Sequence, residues 1–254
     1  PDVDIIALRV LDDSGRGTSL DIAEALNWVV ENYAEYNITA VNLSLGSYGF
    51  HQSSYSGYLA TQFKALANAG VTVVSASGND YYDEYVANGG FSQLGVAYPS
   101  SDPYSLSVGA LWANDQSSAW GYYDDSGTFI NLQETPPQDS LTFFSQRDDD
   151  LSDIFAPGGE VLSTELDGTY TYMNGTSMAA PYVTGMVVLA QQLAEQELGR
   201  RLTFQEIRTL IHQTGVDIID GDDENAVVSS GLTYKRADMM ALAEAILALK
   251  PAGT

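Results

Sequence analysis

The sequence predicts an α/β fold of three layers, in which a doubly wound, mainly parallel sheet has helices on both faces. Short apolar runs alternate with helically spaced segments over the first third of the chain. The order strand, helix, strand, helix, strand implies right-handed crossovers, which place helices on both faces of a parallel sheet. A long apolar helix starting at Ser177 is predicted to be buried at the centre. We expect a single domain over residues 1–254.

The spacing of apolar residues predicts the elements of the first half. The run 4–11 is short and largely apolar, which is typical of a strand covered on both faces. We predict a strand at 4–11, a helix at 19–36, a strand at 40–46, a helix at 54–69 and a strand at 71–76. Ligands bind beyond the carboxyl ends of parallel strands. The residues Ser44-Leu45-Gly46 and Gly78-Asn79, which lie at such ends, are therefore expected to face one cleft.

The second half is predicted to begin with a strand at 104–111. Residues 112–142 mix aromatic side chains with Asp, Ser and a Pro-Pro pair. We predict an inserted, folded surface loop there, either a hairpin or a lip beside the substrate, because aromatic residues at this density rarely stay solvated. Thr203 is predicted to cap a helix that extends to Gln213. A last amphipathic helix is predicted at 236–249.

Composition excludes several classes of partner. The chain has 34 acidic and 10 basic residues, and its net charge of −24 argues against nucleic acid or an anionic membrane surface. It has no cysteine, so disulfides and thiolate metal sites are excluded. The absence of any run of about 18 apolar residues predicts that no segment spans a membrane. We expect a monomer whose acidic surface suits a salty medium, where charge repulsion is screened.

The stretch 174–181, Asn-Gly-Thr-Ser-Met-Ala-Ala-Pro, is the candidate centre of the chemistry. It is a turn of small residues that ends in Ser177, where an apolar helix begins. A hydroxyl at a helix start lies beside free backbone N–H groups and the positive end of the helix dipole. That position suits a nucleophile whose attack creates a negatively charged oxygen. Taken alone, Ser177 is better explained as a helix cap, because serine is preferred there.

Several segments, in the same order, resemble the subtilases, the family of subtilisin-like serine peptidases. The stretch 174–181 is similar to the serine motif of that family, which is a specific signature. The other similar segments are 41–46, 73–79, 98–100 with the strand that follows, and 155–158. The resemblance covers most of the chain, with 112–142 as an addition. Tyr182 stands where many members carry a histidine, at a position that is structural in the family.

The resemblance implies a serine-type endopeptidase that acts on polypeptide substrates and is secreted. It implies that Ser177 is the nucleophile and that Asn79, together with the Ser177 backbone N–H, stabilises the oxyanion. It further implies that Ser44, Leu45 and Gly46 pair with the substrate backbone, and that Ala76, Ser77 and Gly78 form one wall of the specificity pocket. Their small size predicts a roomy pocket. Calcium is a candidate cofactor by the same analogy, although the acidic run 217–224 lacks the spacing of a calcium loop.

A serine nucleophile needs a base and an orienting carboxylate, and neither is evident in this sequence. In the family both precede the strand with which this chain begins, so the resemblance implies that the domain is incomplete at its N-terminal side. The chain has two histidines. We interpret His51 as a residue of the cleft rim and His212 as structural. Asp12 and Asp13 resemble the catalytic Asp turn of the family, but their context predicts turn residues only.

Two hypotheses from different classes follow. The chain is either part of a serine endopeptidase whose Asp and His segments lie elsewhere, or a non-catalytic subtilase-like module that binds peptides in its cleft. The intact serine motif and Asn79 favour the first, because a disused site needs neither. On either hypothesis, residues 1–254 alone are expected to be nearly inactive.

Overall fold

The middle layer of the fold is a sheet of six strands. The computed structural model describes residues 3–82, 94–123, 126–221 and 229–250. In chain order the helices and strands are α1 (Ser19–Asn32), β1 (Ala40–Leu43), β2 (Ser47–His51), α2 (Ala60–Asn68), β3 (Thr72–Ala76), β4 (Val96–Tyr98), β5 (Ser105–Trp112), β6 (Trp120–Tyr123), β7 (Phe129–Gln133), β8 (Ile154–Gly159), β9 (Val161–Thr164), β10 (Tyr170–Met173), α3 (Thr176–Leu198), α4 (Phe204–Thr214), β11 (Val216–Ile219), β12 (Thr233–Arg236) and α5 (Met239–Ala248).

The sheet is mainly parallel, as predicted. Its spatial order is β1-β3-β5-β8-β12-β11. The first five strands pair in parallel, and β11 joins the end of the sheet antiparallel to β12. The register pairs Leu43 with Ser75 and Ala76 with Val108. The carboxyl ends of β1, β3 and β5 therefore lie at the same edge, and the loops that follow them are neighbours.

Helices cover both faces of this sheet, which confirms the predicted three layers. On one face, α1 and α2 bury Leu26, Phe63 and Leu66 against β1 and β3. On the other, α3, α4 and α5 pack against the central strands around Val108 and Val187. The predicted cap at Thr203 is confirmed, since its side chain and that of Glu206 form a reciprocal capping box at the start of α4.

The prediction of a buried strand at 4–11 is wrong. This segment forms no strand among the described residues, and Ile5 is 86% exposed. A strand covered on both faces needs pairing and packing partners, and an apolar run without them remains on the surface. The edge of the sheet at β1 is correspondingly unpaired by any described strand.

The prediction that α3 is buried at the centre of the domain is only partly correct. Ala180, Val183 and Val187 are fully buried in the core. Tyr182 is 50% exposed and Leu189 is 47% exposed, and both lie on the outer face of the helix. The helix therefore carries an apolar face that the described residues do not cover.

The segment 112–142 contains the antiparallel hairpin of β6 and β7. Its base is tied to the body of the domain, because the buried Gln133 side chain accepts a hydrogen bond from Trp112 at 2.7 Å and donates to the Leu141 carbonyl at 2.9 Å. Residues 124 and 125, which belong to the predicted loop 112–142, lie outside the described residues. Within the described ranges, no helix combines the length and apolarity needed to cross a membrane.

Candidate active site

Three chain segments meet at the carboxyl edge of the sheet. Ser44 follows β1, Asn79 follows β3, and Ser177 lies in the first turn of α3. They are brought together because β1 and β3 are paired neighbours and α3 packs across both. The fold therefore brings Ser44 into contact with Ser177, which lies 133 positions further along the chain.

Asn79 is held in place by the residue before Ser177. Its Oδ1 atom accepts hydrogen bonds from both the backbone N–H and the hydroxyl of Thr176, each at 2.9 Å. The Thr176 hydroxyl also accepts a hydrogen bond from the Gly78 backbone N–H at 3.2 Å. Because Oδ1 faces Thr176, the Nδ2 group of Asn79 is left as a donor, and no described residue accepts a hydrogen bond from it.

Two donors flank one point next to Gly175. A Cβ atom built on Gly175 would lie 3.4 Å from Asn79 Nδ2 and 3.6 Å from the Ser177 backbone nitrogen. Glycine keeps this space open, and its φ of 153° is a conformation that favours glycine. Among the described residues the Ser177 N–H donates to no acceptor. A small negatively charged oxygen at this point would therefore have two donors close to it.

Ser177 is half-buried and bonded to the loop after β1. Its hydroxyl donates to the Ser44 carbonyl at 3.3 Å, while the Ser44 hydroxyl donates to the Ser177 carbonyl at 2.7 Å. The turn before it is fixed by a hydrogen bond from the Gly175 N–H to the Gly158 carbonyl at 2.8 Å. The first turn of α3 thus has a defined position relative to β1 and β8.

The residues expected to bind the substrate backbone line one side of this site. Ser44 and Leu45 are half-buried and Gly46 is exposed. A Cβ atom at position 46 would lie 3.2 Å from the Tyr98 carbonyl oxygen, so glycine avoids a tight contact with β4 there. This segment continues directly into β2.

The residues expected to form the pocket wall differ in accessibility. Ala76 and Ser77 are buried, and Gly78 is half-buried. The Ser77 hydroxyl donates to the Gln146 carbonyl at 2.8 Å, so it points into the protein rather than into a pocket. A Cβ atom on residue 78 would overlap the side-chain amide of Gln146. Gly78 therefore leaves room for the side chain of Gln146, a residue for which the sequence pattern predicts no role.

Neither histidine contacts Ser177 through a hydrogen bond in the described part of the chain. The His51 ring, in β2, is stacked on the Tyr55 ring, with centroids 4.5 Å apart. His212 is exposed in α4 and interacts electrostatically with Asp153, just before the amino end of β8. Burial raises the pKa of Asp153, and Arg208 opposes this by pairing with it at 2.5 Å. His212 therefore belongs to the opposite edge of the sheet from Ser177.

The described residues contain no evident set of ligands for calcium. No group of three or more His, Asp or Glu side chains that could hold a metal ion occurs within the described ranges. In the acidic run 217–224, Asp217 pairs with Lys235, and Asp220 pairs with Arg147 at 2.6 Å. Residues 222–224 of that run lie outside the described residues.

Comparison with known proteins identifies the family to which this fold belongs. The family model described as "Subtilase family" matches residues 1–234. The chain is 32% identical over 215 residues to a thermophilic serine proteinase of Bacillus sp. (strain AK1), covering 85% of this chain and 42% of the relative. It is 32% identical over 192 residues to subtilisin BL of Lederbergia lenta, covering 76% and 55%. The chain therefore belongs to the subtilase family.

Solved structures agree with this assignment. A cold-adapted subtilisin-like serine proteinase superposes with a TM-score of 0.59 and 25% identity, over 90% of this chain and 64% of that one. The prenylagaramide maturation protease PagA superposes with a TM-score of 0.62 at 20% identity, over 92% of this chain and 70% of that one, which supports the fold alone. The chain spans about half or less of the length of the two curated relatives, from 42% to 55%.

Thr176 is a residue of the candidate site for which the sequence pattern predicts no role. The motif places it next to the candidate nucleophile Ser177, but its two hydrogen bonds to Asn79 join residues 97 positions apart. Its hydroxyl group and its position at a helix start could have indicated this role, because hydroxyl residues there commonly form hydrogen bonds with nearby backbone and side-chain groups.

Proposed function

We propose that this chain carries the nucleophile and the oxyanion site of a serine endopeptidase that hydrolyses polypeptides. Ser177 is the nucleophile, and Asn79 Nδ2 and the Ser177 backbone N–H are the oxyanion donors. The observation that carries the proposal is the pair of donors, within 3.6 Å of one point beside Gly175, at the N-terminus of α3. An extracellular location and polypeptide substrates are part of the proposal, by analogy with the family.

The chemistry follows from this arrangement. The Ser177 Oγ atom attacks the carbonyl carbon of a peptide bond, and its proton passes to a base. The carbonyl oxygen becomes negatively charged and moves between the two donors. The positive end of the α3 dipole stabilises the same charge. Because Thr176 and the fold fix these donors before the reaction, no reorganisation is needed when the charge appears.

The base and its orienting carboxylate are proposed to come from polypeptide outside residues 1–254. His51 and His212 have other neighbours, and the Ser177 hydroxyl donates to a backbone carbonyl. The edge of β1, which no described strand pairs, and the outer face of α3, where Tyr182 and Leu189 are about half exposed, offer a surface on which such polypeptide could pack. Without a base, hydrolysis by this chain would be at most roughly 10³–10⁴-fold faster than in water.

A second candidate is a peptide-binding module without catalysis. The observation that favours it is the hydrogen bond from the Ser177 hydroxyl to the Ser44 carbonyl, which leaves the hydroxyl without a base among the described residues. The two candidates differ in whether Ser177 reacts or only lines the cleft.

A fluorophosphonate reagent, which forms a covalent bond with activated serines, separates them. The natively expressed protein that contains this chain is treated with the reagent, digested and analysed by mass spectrometry. The endopeptidase proposal requires the adduct on the peptide that contains Ser177. An unmodified Ser177 in a native protein that nevertheless binds peptides would favour the binding module.

A further inference from the structure

Gln146 is a fully buried polar residue between β7 and β8, outside the proposed catalytic residues. Its backbone N–H donates to the Gly78 carbonyl at 2.9 Å. Its carbonyl accepts a hydrogen bond from the Ser77 hydroxyl at 2.8 Å. The backbone of Gln146 is therefore hydrogen-bonded to Ser77 and Gly78, which follow β3 and form one wall of the proposed cleft.

The side chain of Gln146 reaches the other wall. Its Nε2 atom donates to the Gly49 carbonyl at 2.9 Å and to the Gly95 carbonyl at 3.5 Å. Only the NH₂ end of an amide can donate, so the two carbonyls determine the orientation of the group. Gly49 belongs to β2, which directly continues the Ser44–Gly46 segment. One residue thus bonds to both walls of the cleft.

The hydrogen bond from Gln146 to Gly49 is formed where the pairing of β2 and β4 is irregular. Strands β2 and β4 pair at Ser47 with Tyr98 and at His51 with Val96, and their register shifts between these points. Gly49 lies within that interval. A backbone carbonyl in such an interval needs a donor from elsewhere, and the Gln146 amide supplies one.

The amide of Gln146 lowers the stability of the fold. Among the described residues the Gln146 Oε1 atom is buried and accepts no hydrogen bond. A buried acceptor without a partner opposes folding, and an aliphatic side chain of similar size would avoid that cost. We therefore attribute the presence of glutamine to its NH₂ group, which donates hydrogen bonds that methionine or leucine cannot form.

The chain next to Gln146 is firmly anchored. Arg147 and Asp220 form a fully buried ion pair at 2.6 Å. The Arg147 side chain also donates to the Thr142 carbonyl at 2.9 Å, and its own carbonyl accepts from the Gly95 N–H at 2.8 Å. Gln146 consequently extends from a rigid base, and its amide can hold a neighbouring segment in a fixed position.

We propose that Gln146 is a positioning residue that sets the separation of the two walls of the substrate cleft, at Ser77–Gly78 and at Gly49. The proposal rests on the proposed function, since that cleft is where a polypeptide would bind. It assigns substrate affinity and selectivity to a residue that touches neither the substrate nor the reacting atoms.

The test compares Gln146→Met, which keeps the volume of the side chain but removes the donor, with the parent protein. All binding variants carry Ser177→Ala in the native protein, so that no hydrolysis occurs. Hydrogen exchange is measured over residues 44–51 and 76–79. The affinity of fluorescein-labelled alanine decapeptides with one varied residue is measured by anisotropy. Gln191→Met is the matched control, because Gln191 is also fully buried and its side chain bonds to the Leu202 carbonyl at 2.9 Å.

We expect Gln146→Met to accelerate exchange over 44–51 and to weaken peptide binding about tenfold, because a buried backbone acceptor loses its donor. The differences in affinity among decapeptides that carry different varied residues should also become smaller. Gln191→Met should lower stability without either effect. If Gln146→Met does not fold, Gln146→Asn, whose amide is one methylene too short to reach Gly49, is measured in the same way.

Unchanged exchange over 44–51 would overturn the proposal, and so would faster exchange with unchanged peptide affinity. Failure of the proposed function gives a different result. In that case the parent protein binds none of the decapeptides, while hydrogen exchange still reports whether Gln146 holds β2.

Discussion

Thr176 and Asn79 are joined by two hydrogen bonds, because both the N–H and the hydroxyl of Thr176 donate to Asn79 Oδ1 at 2.9 Å. This pair of bonds determines which way the Asn79 amide faces. With the oxygen held by Thr176, the NH₂ group is directed to the space beside Gly175. Thr176, the residue before the proposed nucleophile, therefore orients the proposed oxyanion donor Asn79.

Replacement of Asn79 by alanine is expected to reduce kcat strongly and to leave KM almost unchanged. The donor is needed most when the carbonyl oxygen carries charge, and loss of one such donor in subtilisin, a relative of this chain, costs about 10²–10³-fold in kcat. Steady-state hydrolysis of a fluorogenic peptide by the native protein measures both constants. A rise in KM at constant kcat would instead assign Asn79 to ground-state binding.

Thr176→Val removes one of the two bonds that orient Asn79 while preserving the shape of the side chain. We expect kcat to fall about tenfold, because the backbone N–H still holds Oδ1 and only one hydrogen bond is lost. Thr176→Ser retains the hydroxyl and is the control, with activity close to that of the parent. Equal activity of the valine and serine variants would show that the hydroxyl has no part in orienting Asn79.

The local sequence pattern predicts which segments form the candidate site but not its internal geometry. The motif 174–181 and the strand ends at Ser44 and Asn79 were found because turn and strand patterns are local. The bonds of Thr176 to Asn79, and of Gln146 to Gly49, join segments separated by 97 positions in each case. Contacts of this kind depend on how strands pair and helices pack, which the local pattern does not specify.

The errors in the fold prediction have the same origin. The run 4–11 has the composition of a buried strand, but burial requires neighbours that an isolated pattern cannot reveal. Helix α3 has the composition of a fully buried helix, yet Tyr182 and Leu189 are exposed. By contrast, the cap at Thr203 was predicted correctly because a capping box is formed within four consecutive residues.

Glu206 provides a pH-dependent contribution to stability. Hydrogen bonds from Arg200 lower its pKa from the ordinary value of 4.5 to about 2. A lowered folded-state pKa stabilises the fold above pH 4.5, and this contribution is lost as pH falls through about 2. Because the side chain is partly exposed, we expect only about 0.5–1 kcal/mol.

Glu206→Gln isolates this charge, since glutamine at the same position can still complete the capping box. Denaturant unfolding of the parent and the variant should show a difference in the free energy of unfolding at pH 7. That difference should shrink as the pH is lowered from 5 towards 2. A difference that stays constant over this range would contradict the assignment to Glu206.

The acidic surface predicts a stability that increases with salt. With 34 acidic and 10 basic residues, like charges repel in the folded state more than in the expanded chain. Salt screens exposed charges over about 8 Å at physiological ionic strength and over shorter distances at higher salt. Thermal unfolding between low and molar potassium chloride should therefore show a rising Tm. A flat or falling Tm would argue against adaptation to a salty medium.

The central claim is that Ser177 is a catalytic nucleophile, and Ser177→Ala in the native protein tests it most directly. Peptide hydrolysis and peptide binding are measured together, with Ser163→Ala, at an exposed position in β9, as the control. The account predicts that Ser177→Ala lowers kcat by about 10⁶-fold, as loss of the nucleophile does in subtilisin, while peptide affinity is retained. Hydrolysis at the parental rate by Ser177→Ala would contradict it.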